Sequence, residues 1–485
     1  MSGEPQRGGE RGADPARADN PDGEPGGTVL GLGERGCVHG IRPSVPVRWP
    51  GSGGPGAVPD VSRPAYARTA GRLSALRDGA GGRGERAEGR AGPWPVRHHR
   101  RMVDDTSDEG RARRLAAWGG ARRRLAEVAP AETIGGRLAR LAAEAPAAYD
   151  LTERTDVYGD GAVEALERRV AGLLGTEAAA FFPTGTMAQQ IALRCWAGRT
   201  GNATVALHPL AHPVRHERDA LSVLGGLRTV HPTQEPRQPT ADEVRALDEP
   251  FGTLMLELPL REAGFVLPSW EELEAVTGAA RERDAVVHVD GARIWECARH
   301  LGRELPEIAA LADSVYVSFY KSLGGLSGAA LAGPESLVAE AGAWRHRYGG
   351  QLYQQWPAVL SALAGLDREL PRLPSYAAHA GVVAAALREG LAAAGVPWFR
   401  VHPEPPHTHE FQVWLPYPAD ALTEAGTRQA EETGTLLFRA WWDEQRVPGV
   451  AMTEVTVAGP GLEWTARDVT EAVAGFLGFL ERTEG

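Results

Sequence analysis

Four short, almost wholly apolar runs separated by helical stretches constrain this chain more than any other feature. They are TVALH (204–208), TLMLEL (253–258), AVVHVD (285–290) and SVYVSF (314–319). A strand that is apolar on both faces must be covered on both, and intervening segments such as EELEAVTGAARER have the helical pattern that supplies the cover. The alternation predicts an α/β domain with a mostly parallel sheet, whose functional groups gather at the carboxyl ends of the strands. From about residue 355 helices dominate. A smaller α+β unit follows, with strands near 410–415 and 450–457 and a last helix near 466–482.

The beginning of the chain differs in kind. Residues 1–101 hold 22 Gly and 12 Pro without hydrophobic periodicity, which reads as a disordered extension, either dispensable or lying upstream of a native start at Met102. The expected organisation is therefore a 1–101 extension, a helical segment over 102–150, a large domain over 151–365 and a small C-terminal domain over 366–485. Within the large domain, DVYGDGAVEALERRVAGLLG carries Val163, Leu166, Val170 and Leu174 at helical spacing before a Gly175 stop. A net charge of −11 and a pI near 5.8 argue against nucleic-acid or anionic-membrane partners. No run approaches the roughly 20 apolar residues of a membrane span. Three widely spaced cysteines show no metal-ligand pattern and fit a reducing compartment, so no metal and a cytoplasmic location are expected.

Of the 52 basic residues, Lys321 is the single lysine. Arginine supplies positive charge elsewhere but cannot become a free amine near neutral pH. A lone lysine between SVYVSF and Gly324-Gly325 thus suggests a nucleophilic amine that forms a Schiff base, as with pyridoxal phosphate (PLP). Other strand ends carry groups such a cofactor needs. In HVDGAR, Asp290 can pair with a ring nitrogen, although an aspartate after a strand also serves as a helix cap. In FFPTGTMAQQIAL, a strand, a turn and a helix start at Gly185 and Thr186 suit a phosphate, or serve capping alone. In LAHPVRHE, an imidazole can stack on a flat ring or relay protons; His208, His212 and His216 lie close together, and a solvated loop is the other fate of each.

The order of these signals, from phosphate turn to histidine, strand-end aspartate and lysine, resembles the threonine aldolase and aromatic amino acid β-eliminating lyase family of fold-type-I PLP enzymes. The resemblance runs from about Asp156 to residue 355 and rests on DVYGDGAVEALERRVAGLLGTEAAAFFPTGTMA and HVDGARI. It implies an aspartate-aminotransferase-like large domain and a small-molecule amino-acid substrate, with assembly as a homodimer or homotetramer. It also implies that Lys321 holds PLP, Asp290 faces the pyridine nitrogen and Arg293 lies near the cofactor oxygens. Gly185 and Thr186 would bind phosphate, His212 would stack on the ring and Ser318 would add a phosphate contact. The implied reaction cleaves Cα–Cβ of a β-hydroxy-α-amino acid to glycine and an aldehyde, with Lys321, His212 and Asp290 as the catalytic set.

The chain departs from that pattern where substrate is recognised. ELPLREAG puts Leu260 where the family has a histidine, GGQLYQ puts Tyr353 at an arginine position, and MTEVTV puts Glu454 where a carboxylate-binding arginine is expected. A glutamate cannot hold a carboxylate, so Arg261 is the expected substrate-binding cation, with Arg345 and Arg347 in reserve. The same cofactor residues also suit a β-eliminating lyase, an aminotransferase or a non-catalytic PLP-fold binding protein.

Overall fold

All four apolar runs become strands of one seven-stranded sheet. The computed structural model describes residues 108–127, 132–444 and 447–484, so the extension read over 1–101 lies outside the described residues. In chain order the strands are β1 (Ala178–Phe182), β2 (Thr204–Leu207), β3 (Arg228–Val230), β4 (Thr253–Glu257), β5 (Val286–Gly291), β6 (Ser314–Ser318) and β7 (Ala329–Gly333). Across the sheet they run β1-β7-β6-β5-β4-β2-β3. Strands β3, β2, β4, β5 and β6 pair in parallel, while β7 lies antiparallel between β6 and β1. Because β1 and β6 both oppose β7, β1 ends at the same edge as β4, β5 and β6.

Register decides which side chains meet. Glu257 on β4 sits opposite Asp290 on β5, which sits opposite Tyr316 on β6. Side chains alternate along a strand. Leu254, Leu256, Val287, Val289, Val315 and Val317 therefore enter the largest core on one face. Glu257, Asp290 and Tyr316 share the other, the face covered by helix Gly185–Thr200. A fully buried network ties that helix down. His288 shares hydrogen bonds with Ser314 Oγ at 2.7 Å and Gln189 Oε1 at 2.6 Å, and burial pushes its imidazole down to about 3, so it stays neutral.

The small sheet consists of β8 (Arg400–His402), β9 (Glu410–Leu415), β10 (Trp442–Asp443) and β11 (Ala451–Thr456), antiparallel in the order β10-β11-β9-β8. It has its own core, built around Trp441, Phe438 and Phe476. Helix Leu373–Ala393 belongs to both cores: Leu373 and Tyr376 pack in the first, and Ala380 to Leu391 in the second. The change of core thus falls inside this helix, some residues beyond the boundary expected at 365. The described parts of the 102–150 segment pack against later elements. Helix Asp108–Gly120 packs on helix Ala419–Thr433, Arg123–Arg124 pairs in parallel with Thr435–Leu436, and helix Ile134–Ala148 packs on helix Trp356–Glu369. Among the described residues no helix is long and apolar enough to cross a membrane.

Candidate active site

The carboxyl ends of β1, β5 and β6 open on a cavity of about 270 Å³ lined by Thr184, Gly185, Thr186, His212, Asp290, Tyr316 and Lys321, among others. Lys321 stands three residues beyond the end of β6, on a loop that its glycine pair folds back. Gly325 N donates to Phe319 O at 2.8 Å and Gly324 N to Lys321 O at 3.1 Å. Gly324 has a φ of +65°, and a Cβ on Gly325 would stand 2.7 Å from Phe319 O. Burial, aided by the charge of Arg293, lowers the Lys321 amine to about 8 against the pull of Asp290 and Glu257. Its ammonium therefore gives up a proton more than two units sooner than an ordinary lysine.

Asp290 is buried, which raises its carboxyl, while the charges of Lys321 and His212 oppose the rise and Ala292 N donates to Oδ1 at 3.1 Å. Beside it lies Glu257, which the sequence reading did not single out. Burial and the neighbouring Asp290 push Glu257 up to about 7, and its two oxygens accept from His212 N at 2.7 Å and Arg261 N at 3.2 Å. A signal was present: TLMLEL carries its acid at the same distance along its strand as AVVHVD does, and parallel register sets the two side by side.

Of the three clustered histidines, only His212 lines the cavity. Its Nδ1 lies 3.3 Å from Glu217 Oε1. Burial alone would lower this imidazole, but Glu217 and Asp290 raise it above its ordinary value. His208 instead bonds Glu235 O at 2.7 Å, and His216 bonds Glu262 Oε1 at 3.0 Å.

Helix Gly185–Thr200 begins directly after β1, with Thr184 Oγ1 accepting from Met187 N at 3.2 Å as its cap. A Cβ at Gly185 would come within 2.0 Å of Tyr316 Oη, so only glycine lets this turn lie against the sheet. First-turn N–H groups have no carbonyl partner within a helix, and here that turn lines the cavity. An amine of lowered pKa, a buried carboxylate, an imidazole and a helix N-terminus around one space form a donor set that fits a flat phosphate-bearing aldehyde.

Three expected residues stand elsewhere. Ser318, the expected phosphate contact, is fully buried and does not line the cavity, and its Oγ has no hydrogen-bond partner. Arg293 lies over Phe265 with Nε 2.5 Å from Glu410 Oε2. It lines a second, larger cavity of about 990 Å³ that shares Tyr320 and Lys321 with the first. The expectation for Arg261 is corrected most sharply. Its guanidinium is committed to Glu454 at 2.8 Å and Glu262 at 3.1 Å, and it lines neither cavity. Arg345 is held by Glu167 and Phe181 O, and Arg347 lies over Trp344; neither faces the site. Leu260 is buried with Ala263 and Val266, and Tyr353 meets Tyr158 edge-on. Glu296, His409 and Glu410 lie close enough to share an ion, but His409 pairs with Glu296 and Arg293 with Glu410.

Comparison with known proteins gives three kinds of match. The family described as beta-eliminating lyase matches residues 144–410. The low specificity L-threonine aldolase of Escherichia coli K12 is 34% identical over 246 residues, which is 48% of this chain and 72% of that protein. The low-specificity L-threonine aldolase 1 of Arabidopsis thaliana is 29% identical over 49% of this chain and 68% of its own length. Among solved structures, one from Listeria monocytogenes EGD-E, assigned provisionally as an L-allo-threonine aldolase, matches with a TM-score of 0.68 and 33% identity. It covers 76% of this chain and 99% of its own. A serine palmitoyltransferase of Sphingomonas wittichii shares the fold, with a TM-score of 0.52 at 17% identity over 71% of this chain and 84% of its own.

Proposed function

Since the chain belongs to the beta-eliminating lyase family and is a PLP-dependent lyase of fold type I, we propose that it cleaves the Cα–Cβ bond of a β-hydroxy-α-amino acid, yielding glycine and an aldehyde. One observation carries the reading: the sole lysine, the Asp290 carboxylate, His212 and the start of helix Gly185–Thr200 line a single cavity. PLP, when bound, supplies the electron sink for the bond that breaks at Cα.

Each residue has a distinct task in this reading. Lys321, lowered to about 8, offers a free amine near neutral pH and anchors the cofactor. Asp290, buried at the cavity wall, would supply the negative charge that keeps a bound pyridine nitrogen protonated. Glu257, pushed up to about 7, sits beside Asp290 as a partly neutral acid, so the pair does not carry two full charges in one buried site. Gly185 and Thr186 offer backbone N–H groups to the phosphate. His212, oriented by Glu217, takes the proton from the substrate hydroxyl. Arg293 faces the approach to Lys321 from the larger cavity.

A second reading has its own support. With an apolar Leu260 buried away from the site, position 260 supplies no second base, and loss of the Cα proton followed by β-elimination uses the same cofactor residues. Incubation with L-threonine, L-allo-threonine and L-serine separates the two. Aldehyde and glycine in equal amounts from threonine are expected; 2-oxo acid with ammonia and no aldehyde would replace the first reading with the second.

A further inference from the structure

An α-amino acid brings a carboxylate into the site, and Arg261, with its charge committed to two acids, does not receive it. The larger cavity holds another guanidinium. Arg439 lies between the short strands Thr435–Leu436 and Trp442–Asp443 and lines the cavity that Lys321 shares. It is enclosed by protein on nearly all sides, and burial lowers its hold on the proton, yet its side chain remains partly open to the cavity.

Two carboxylates lie near enough to act on Arg439, those of Glu410 and Glu454. Each is paired with another arginine, Glu410 Oε2 with Arg293 Nε at 2.5 Å and Glu454 Oε2 with an Arg261 guanidinium nitrogen at 2.8 Å, although Glu454 Oε1 has no hydrogen-bond partner. Arg439 itself makes no ion pair or hydrogen bond with any described residue. A charge desolvated without a partner is costly, and a fold keeps one where a ligand completes it. The guanidinium fork matches a carboxylate through two parallel N–H···O bonds. Position supports the match. The cofactor's phosphate turn lies in the smaller cavity and Arg439 in the larger, and Lys321 stands where the two meet.

We propose that Arg439 receives the α-carboxylate of the amino-acid substrate. The proposal rests on the reading that the substrate is an α-amino acid. It makes the enzyme selective for amines that carry a carboxylate, through a residue of the small-sheet half of the chain.

The test is a titration of the PLP-loaded protein, followed by visible absorbance, with glycine and with 1-amino-2-propanol, an amine lacking the carboxylate. Arg439→Gln is expected to weaken glycine about thirtyfold, to leave the aminopropanol response within about twofold and to keep the resting spectrum. Arg439→Lys keeps a charge but not the fork, and a loss of about fivefold is expected. The Lys variant also tests the idea should the Gln variant fold poorly. Glycine bound as tightly by both variants as by the wild type, or both ligands weakened in parallel, would overturn the role of Arg439 while leaving the amino-acid reading intact. A wild-type spectrum that responds to no amino acid would overturn both.

Discussion

At position 321, an amine lowered to about 8 should, if it anchors PLP as proposed, set how fast the protein captures its cofactor. Only the unprotonated amine attacks an aldehyde, so apo-protein mixed with PLP should gain visible absorbance about ten times faster per pH unit up to about pH 8, then level off. An amine with an ordinary lysine value of 10.5 would keep accelerating well beyond that. Lys321→Arg should hold no borohydride-fixed cofactor. His212→Asn should remain yellow while its turnover number falls about 100-fold, measured as aldehyde released. These residues were legible in sequence because their chemistry is unusual where they stand: one lysine among arginines, and an acid ending an apolar run. Arg261 misled because a sequence shows a charge but not its partner. Glu454, the acid that neutralises it, is 193 positions away. Arg439 was invisible for the converse reason, since nothing in FRAWW shows that its neighbouring acids are paired with other arginines.

Among elements, the junction of β1 and helix Gly185–Thr200 allows least change. Gly185→Ala would drive a methyl into Tyr316, whose hydroxyl lies 2.0 Å and ring carbon 2.7 Å from the new atom. We expect cofactor lost on gel filtration and stability lowered by about 3 kcal/mol in denaturant melts. Adding Tyr316→Phe should not restore either, because the ring carbon still collides. Strands β2, β4, β5 and β6 were readable because each is a short apolar run. Strand β7 was not: AALAG has neither a β-branched nor an aromatic residue, and small side chains are what fit a strand packed between β6 and β1. Helix Ala162–Leu174, by contrast, ends at the expected Gly175, which is left-handed at φ +66°.

Across the whole molecule, the large sheet meets the small one through a buried cluster. His409 at the start of β9 pairs with Glu296, and Arg293 pairs with Glu410. Burial would lower His409, but Glu296 raises it to about 9, above its ordinary 6.5, while His409 in turn holds Glu296 below the usual carboxylate range despite burial. The stability that His409 contributes is thus complete below about pH 6.5 and is lost as pH rises through about 9. The Glu296 share is present above its unfolded value of 4.5 and fades as pH falls through its depressed one. The thermal midpoint of the wild type should exceed that of His409→Gln by about 5 °C near pH 6, and the gap should close by pH 9.5. A gap independent of pH would assign His409 a packing role alone. The change of helix and strand pattern was readable, but the place where one core gives way to the other was not, because an amphipathic helix does not announce that it changes partners midway.

That helix, Leu373–Ala393, has a practical consequence for anyone who wishes to express half of this protein. A cut at residue 365 would strip Leu373 and Tyr376 from the upstream fragment and leave them as a bare apolar patch on the downstream one. A cut past residue 391 would do the reverse with Val383, Leu387 and Leu391. Either fragment would aggregate rather than fold, and co-expressing the two pieces, not purifying one, is the way to study them.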